Sequence, residues 1–223
     1  MAAVTVKGLS GIKQTNSSLS EDLASRIRDD ILSGKLPNGS KLTEQAVCEK
    51  YKVSRTPVRE ALSRLEVEGL VENIPNRGAF IRGLSAQDVA DIMTMRKIYE
   101  IQAVRWAVER ITDEELDELE ENFEFMEFYT MKNDIDKMLN INRSFHQMIY
   151  RASHNRMLAQ LLSSYQNYIR HDSAALARAD DYLQTVLDEH RQIFLAIVSR
   201  DQEAAVTAME SHMDNSIRRH MER

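Results

Sequence analysis

Apolar residues recur at helical spacing near the start of the chain. Leu23, Ile27 and Ile31 lie at i, i+4 and i+8, which predicts an amphipathic helix. Gly34 can end this helix in a left-handed cap. The predicted elements that follow are a turn at residues 36–39, helices near 43–51 and 55–68, and strands near 71–74 and 79–82, with a Pro-Asn-Arg-Gly turn between the strands. Three helices followed by a hairpin is the order of a winged helix-turn-helix.

The pattern changes near residue 84. All seven glycines and all three prolines lie at or before Gly83. The long remainder without a helix breaker predicts stacked helices, whose starts are marked by capping residues such as Thr112, with Glu115 three residues later. We predict six helices, near residues 86–109, 112–130, 134–152, 156–177, 181–199 and 201–221. The predicted fold is mostly α: a flexible tail at residues 1–18, a winged helix-turn-helix at 19–84 and an all-α helical bundle at 85–223.

Charge is divided unevenly between these two regions. Residues 1–84 carry 13 lysines and arginines against 10 acidic residues, whereas residues 85–223 carry 16 against 25. Only the first region therefore suits a polyanion. No run approaches the ~20 apolar residues of a membrane span, and the first residues lack the apolar core of a signal peptide. We therefore expect a cytoplasmic protein with no membrane partner.

The candidate chemistry of the first domain is concentrated at the start of its third helix. Ser54 can cap this helix. An apolar stripe later in the helix faces the core, which leaves Arg55, Thr56 and Arg59 near the exposed N-terminal end. A helix N-terminus suits phosphate oxygens, and an arginine can pair with guanine O6 and N7. On their own, however, two exposed arginines are typical of a solvated face.

The predicted hairpin favours DNA binding, because Arg77 and Gly78 combine a cation with a backbone that can approach a duplex closely. Residues 31–81, which include this hairpin, resemble the GntR family of bacterial regulators. The matching positions are Gly34, Leu36-Pro37, Gly39, Leu42, Glu44, the run 53–62 (Val-Ser-Arg-Thr-Pro-Val-Arg-Glu-Ala-Leu), Leu65, Glu68-Gly69-Leu70 and the run 75–78. The resemblance implies contacts to double-stranded operator DNA from Ser54, Arg55, Thr56, Arg59, Arg77 and Gly78.

Histidines carry the candidate chemistry of the second domain. Asn142 and His146 are four residues apart and share a helix face, as a metal chelate needs. His190 and His212 lie on two helices joined near residues 199–201, and antiparallel packing could bring both imidazoles toward His146. Three histidines and one oxygen ligand suit Zn, Ni or another borderline divalent metal. Spacing alone also allows each histidine a core or solvated role.

This domain resembles the FCD type, the all-helical effector domain of one branch of the same family. The residues that carry the resemblance are Arg96, Glu100, Asn142-Arg-Ser-Phe145-His146, Asn155, His190 and His212. It implies a divalent transition metal, zinc or nickel, on Asn142, His146, His190 and His212, and a small carboxylate effector bound by Arg96 and Asn142. The remaining histidines, His154, His171 and His220, match no motif position, and we expect them on the surface.

Asn142 departs from the family pattern, which usually has aspartate there. An amide oxygen can coordinate a metal, but it brings no charge. We therefore expect weaker metal binding, and both the occupancy and the identity of the metal stay open.

The resemblance further implies a homodimer that reads two half-sites, with repression relieved by the effector. We interpret the chain as a ligand-responsive bacterial transcriptional regulator and not an enzyme. Two alternatives stay open: a metal-dependent helical-bundle enzyme, although no carboxylate stands out as a general base, and a direct metal sensor. We expect Trp106 and the aromatic residues between 123 and 129 to serve helix packing or the dimer.

Overall fold

The computed structural model describes residues 10–176 and 181–221, and within them the side chains of residues 19–169 and 181–221. The chain separates between Ser85 and Ala86 into two compact units. Composition alone had placed the boundary between residues 84 and 85.

In the described part of the first unit, three helices accompany a three-stranded antiparallel sheet. The elements are α1 Ser10–Leu32, β1 Lys41–Leu42, α2 Glu44–Tyr51, α3 Arg55–Val67, β2 Val71–Ile74 and β3 Gly78–Ile81. The strand order is β1-β3-β2, and Lys41 lies opposite Phe80. The winged helix-turn-helix is confirmed, but β1 was not predicted, because two residues show no alternation.

Helix α1 begins earlier than predicted. Residues 10–18, which we expected to be part of a flexible tail, are helical, and residues 1–9 of that tail lie outside the described residues. Extending an existing helix costs far less than starting one, and no proline interrupts this segment.

The core of the first unit lies where α1 meets α3. Leu23 and Ile27 of α1 and Val58 and Leu65 of α3 are fully buried. Burying such side chains contributes roughly 1.5–3 kcal/mol each relative to leaving them exposed. The apolar stripe of α3 therefore points inward, and its polar N-terminal residues are left on the surface.

A polar cluster joins α1 to α2. The Tyr51 hydroxyl donates to Asp30 Oδ2 at 2.7 Å, and Lys50 Nζ lies 2.8 Å from the same oxygen. Burial alone would raise the pKa of Asp30, but the hydrogen bonds from Lys50 and Tyr51 outweigh it and lower this pKa. The Asp30 carboxylate thus helps to hold the end of α2 in place.

The second unit contains six helices within the described residues, as predicted. They are α4 Ala86–Arg110, α5 Asp113–Met131, α6 Ile135–Ala152, α7 Arg156–Leu176, α8 Tyr182–Val198 and α9 Gln202–Met221. The predicted capping box of Thr112 and Glu115 is present. Without glycine, the turns after α5, α6 and α8 use left-handed Asn133, His154 and Arg200, with φ of 50°, 50° and 53°.

Aromatic packing fixes the helices around the centre of this unit. Phe123 of α5 stacks on Phe194 of α8 with ring centroids 4.7 Å apart. Phe145 of α6 is fully buried and meets the ring of His190 edge-on at 5.1 Å. This packing brings α6 and α8 together at their histidines. None of the described helices is long and apolar enough to cross a membrane.

Candidate functional site

The N-terminal end of α3 lies on the surface of the first unit. Ser54, Arg55 and Thr56 are all exposed. Ser54 occupies the predicted N-cap position in an extended conformation, but its side chain makes no capping hydrogen bond. The first-turn N–H groups of α3 are thus left without this acceptor, which suits contact with phosphate oxygens.

Arg59, one turn further along α3, is held by the first residue of α2. Its Nε donates to Glu44 Oε1 at 2.7 Å, while 66% of its side chain remains exposed. The hydrogen bond from Arg59 lowers the pKa of Glu44, so the pair is charged at neutral pH. Glu44 therefore fixes the direction of the guanidinium before any partner is bound.

The tip of the β2–β3 hairpin needs two left-handed residues. Asn76 has φ of 61° and Gly78 of 94°. A Cβ at Gly78 would lie 3.3 Å from Lys41 Cε, which is tight, so glycine is favoured both by φ and by space. Arg77 between them is exposed, with its guanidinium 5.5 Å from the centre of the Phe80 ring. The hairpin tip therefore exposes a cationic side chain next to a glycine, where the backbone can approach a partner closely.

Three histidines from three helices of the second unit converge, as spacing had suggested. His146 of α6, His190 of α8 and His212 of α9 are buried, and their candidate ligand atoms lie within 4.8 Å of one another. His146 Nε2 and His190 Nε2 are 3.2 Å apart. Two nitrogens on one tetrahedral zinc ion, each 2.0–2.1 Å from it, would lie about 3.3 Å apart.

The outer nitrogen of each ring already has a partner. His190 Nδ1 donates to the carbonyl of Val186 at 2.6 Å. His146 Nδ1 is 2.9 Å from Glu100 Oε2, and His212 Nδ1 is 2.8 Å from Glu189 Oε2. Carboxylates and carbonyls behind histidines are the usual support of metal ligands. All three Nε2 atoms are left to face one another.

Burial favours the neutral form of two rings of the cluster. It lowers the pKa of His190 and of His212, and the neighbouring histidines lower both further. Burial alone would raise the pKa of Glu189, but hydrogen bonds from Arg219 and His212 outweigh it and lower this pKa to about 2. Neutral imidazoles supported by ionised carboxylates are the form in which histidine binds a metal.

Asn142 lies one turn before His146 on α6 and lines the same cavity. Its Oδ1 is buried and has no hydrogen-bond partner. A buried acceptor without a partner costs about 1–3 kcal/mol, so it calls for a group that it can bind. An amide oxygen beside three imidazoles is a suitable donor set for zinc or nickel.

Arg96 is placed differently from a simple effector-binding arginine. It lines the cavity, but it is buried and its Nη2 donates to Glu100 Oε1. Glu100 is fully buried and also accepts from the Tyr150 hydroxyl. Burial would raise the pKa of Glu100, yet electrostatic interactions with His146 and Arg96 hold it well below its ordinary range. The guanidinium charge of Arg96 is thus already compensated.

The cavity beside the histidines has a volume of about 470 Å³, the size of a small-molecule site. Its lining is mostly polar and includes residues that we did not predict: Asp136, Asn140, Arg143, Gln166, Tyr182, Ser216 and Arg219. Arg219 makes two hydrogen bonds of 2.8 Å with Glu189. Its spacing from His212, seven residues on one helix face, was the signal in the sequence that could have indicated it.

The histidines outside the cluster have different surroundings. His154 is exposed, as predicted, and its Nε2 lies 2.9 Å from Glu115 Oε2. His220 lines the cavity and is half-buried, so its predicted surface position is wrong. It lies one turn after Ser216, which also lines the cavity and whose carbonyl is 2.8 Å from its Nδ1. The side chain of His171 lies outside the described residues.

Two family models match the chain. The model of the bacterial regulatory proteins of the gntR family covers residues 19–81, and the model of the FCD domain covers residues 91–215. The first includes α3 and the hairpin, and the second includes Arg96, Asn142 and the three clustered histidines.

Several known proteins are similar over most of their length. The chain is 30% identical over 191 residues to the HTH-type transcriptional regulator YdhC of Bacillus subtilis (strain 168), covering 85% of each chain. It is 26% identical over 190 residues to the HTH-type transcriptional repressor RspR of Escherichia coli (strain K12), covering 84% of this chain and 82% of that one. The solved structure of E. coli McbR/YncC has the same fold, with a TM-score of 0.74, 24% identity and coverage of 92% and 97%.

Proposed function

This chain belongs to the GntR family of bacterial regulatory proteins and carries an FCD domain, and from that premise we propose that it is a repressor controlled by a metal-bound organic acid. Its relatives are named transcriptional regulators, so it is a DNA-binding regulator and not an enzyme. The finer proposal is a cytoplasmic homodimer that leaves its operator when a small carboxylate binds the FCD domain.

One observation carries the metal part of this proposal. Three imidazoles turn their Nε2 atoms toward one another while each Nδ1 is occupied by an oxygen acceptor. With neutral rings, the nitrogens of His146 and His190 that are 3.2 Å apart are both acceptors, and a cation between them is favourable. His146, His190, His212 and Asn142 would hold the ion, which would supply a doubly positive charge at the cavity wall.

The charge balance of the cavity supports an anionic effector. Arg96 is compensated by Glu100 and Arg219 by Glu189. Neither of these two arginines therefore offers a full free charge, and the amide of Asn142 adds none. A carboxylate would then be attracted mainly by the ion, and polar side chains such as Gln166 and Ser216 would orient the rest of the molecule.

The DNA part rests on the exposed residues of α3 and the hairpin. Arg55 and Thr56 meet phosphate oxygens beside the helix N-terminus, and Arg59, directed by Glu44, reads a base edge in the major groove. Arg77 enters the adjacent groove from the hairpin tip. Two copies would read two half-sites.

The test combines metal, carboxylate and DNA. Protein stripped with a chelator is titrated with zinc or nickel, and a panel of small carboxylates is then screened by thermal shift with and without the metal. Each stabilising acid is added to the protein on a DNA fragment from upstream of its own gene. We expect metal-dependent stabilisation and release of the DNA. No metal binding, or equal binding by His190→Ala, would contradict the proposal.

A direct metal sensor is the second candidate, because the three buried histidines could hold an ion without any organic ligand. The two candidates differ in one result. Metal alone would release the DNA from a metal sensor, whereas an acid sensor needs both metal and carboxylate.

A further inference from the structure

The cavity beside the histidines has different chemistry at its two ends. Helix α6 forms one wall, along which Asp136, Asn142 and His146 follow one another. His146 at the inner end is buried, whereas Asp136, in the first turn of α6, is exposed. Residues 136 to 146 rise ~15 Å along the helix. The cavity therefore extends from a buried histidine end to an open end that carries a carboxylate.

The Asp136 carboxylate has no partner among the described side chains. The two arginines of the inner cavity, Arg96 and Arg219, are each paired with a glutamate. Asp136 forms neither a hydrogen bond nor an ion pair with a described residue, and this includes Arg143, the next arginine along α6. Among the described residues that line the cavity, Asp136 is the one carboxylate. An uncompensated negative charge at the cavity mouth attracts a cationic group of a ligand.

Apolar side chains also line this cavity. Leu139 lies one turn after Asp136 and one turn before Asn142 on α6. Ile169 of α7 and Val186 of α8 are buried and contribute further apolar surface. Side chains of this kind favour contact with methylene groups over contact with hydroxyl groups. The lining therefore suits a ligand that has a short methylene chain between two polar ends.

The positions on α6 also limit the length of such a ligand. Asp136 and Asn142 are separated by ~9 Å of helix rise. A hydrogen bond of ~2.8 Å at Asp136 then leaves roughly 6–8 Å between the carboxylate and the cationic group of the ligand. With bond lengths of ~1.5 Å, about five methylene groups in an extended chain cover this distance.

We propose that the effector is an aminocarboxylate, a straight-chain acid whose carboxylate lies at the histidine end and whose ammonium group is bound by Asp136. The inference rests on the proposed function for the carboxylate end and adds the cationic end and the chain length. Opposite charges at the two ends of the cavity allow one orientation of the ligand and disfavour the reverse.

The test compares three acids of equal chain length: 6-aminohexanoate, hexanoate and 6-hydroxyhexanoate. Isothermal titration of the full chain, with and without zinc, measures their dissociation constants. We expect 6-aminohexanoate to bind ~5-fold more tightly than either of the other two, because one ion pair is gained at a partly exposed position. The hydroxyl compound separates a cation from a neutral hydrogen-bond donor at Asp136.

Two variants assign this preference to one carboxylate. Asp136→Asn removes the charge at the cavity mouth and should abolish the preference for 6-aminohexanoate. Asp134→Asn is the matched control: Asp134 caps the same helix and pairs with Lys137, but it lies outside the cavity lining. Asparagine is also a good N-cap, so this variant should keep the preference of the wild type.

The possible failures are distinguishable. Equal affinity for 6-aminohexanoate and either of the other acids, or a preference that survives in Asp136→Asn, would overturn the aminocarboxylate inference and leave carboxylate sensing intact. Binding of none of the three acids would contradict the proposed carboxylate sensing as well.

Discussion

Arg59 of α3 and Glu44 of α2 are joined by a hydrogen bond of 2.7 Å between Nε and Oε1. Arg59 is the residue that we propose to read a base, and this bond connects it to the neighbouring helix α2. It uses one donor of the guanidinium and leaves the two terminal nitrogens, which can pair bidentately with guanine. The carboxylate that directs Arg59 is also a negative charge close to the DNA-binding surface.

Replacing these two residues should therefore have different effects. Arg59→Ala should weaken operator binding by about tenfold to hundredfold and relax the preference at one base pair. Glu44→Gln should relax the same preference but strengthen binding to unrelated DNA, because a negative charge is lost. Glu49→Gln, an equal loss of charge on α2 without contact to Arg59, is the control. Fluorescence anisotropy with operator variants measures both effects, and unchanged preference in Arg59→Ala would remove it from the base-reading residues.

Arg77 at the hairpin tip should contribute evenly across sequences. Arg77→Ala should weaken binding to operator and unrelated DNA alike and reduce the slope of log affinity against log salt by about 1. Arg64→Ala removes the same charge from the other end of α3 and should leave the slope unchanged. Titrations at several salt concentrations decide the point, and a wild-type slope in Arg77→Ala would argue against a phosphate contact.

Asn142→Asp should change metal and effector binding in opposite directions. A charged oxygen at the same reach should raise the affinity for zinc or nickel, and the lower net charge should weaken binding of a carboxylate. Asn140→Asp puts the same charge on the same cavity wall and is the control for a general electrostatic effect. Isothermal titration with metal, then with the best carboxylate, measures both. Equal metal affinity in wild type, Asn142→Asp and His190→Ala would mean that these residues hold no metal.

Glu100→Gln should destabilise the second unit strongly. Glu100 is fully buried and compensates Arg96, so its replacement leaves an unpaired buried guanidinium, at a cost of about 3–5 kcal/mol. Glu109→Gln, on the exposed face of the same helix, should change stability little. Urea denaturation of metal-free protein compares the three chains. A loss below about 1 kcal/mol in Glu100→Gln would show that the buried pair is not needed.

Asp30 should make stability depend on pH in the acid range. Its pKa in the folded state is below the ordinary 3.8, so the unfolded chain binds more protons as the pH falls. The stabilisation by Asp30 is complete above pH 3.8 and is lost as the pH falls through the lowered value. Asp30→Asn should therefore be less stable than wild type at neutral pH. The difference in the free energy of unfolding between the two should shrink as the pH falls below the lowered pKa of Asp30. A difference that stays constant in urea denaturation at each pH would contradict this.

The limits of sequence reasoning differ between the two units. Helix bounds in the second unit could be predicted closely because caps such as Thr112 and Asp201 act locally. In the first unit, β1 was missed, since a strand of two residues exists only through its pairing with β3. Residues 10–18 were assigned to a tail because their composition is polar, although helix α1 includes them.

The candidate site, too, could be predicted only in part from the sequence. Spacing could bring His146, His190 and His212 together, because each lies on a predicted helix with one apolar face. Their supporting partners could not be found in this way, since Glu100 and Glu189 lie on other helices than the histidines they contact. The i, i+4 spacing of Arg96 and Glu100 allowed their pairing, but its burial could not be predicted, because it depends on how deeply α4 is packed. Such partners become visible only when the packing is known.

The oxygen behind each imidazole also determines which tautomer the ring adopts. The carbonyl of Val186 can only accept, so neutral His190 keeps its hydrogen on Nδ1 and carries its lone pair on Nε2. The two glutamates impose the same choice on His146 and His212. Folding thus selects the coordinating form of all three rings before any ion arrives, and no proton has to migrate between ring nitrogens when one does. For His190 and His212, whose pKa values burial lowers, metal uptake at neutral pH should accordingly displace no proton from the coordinating nitrogen.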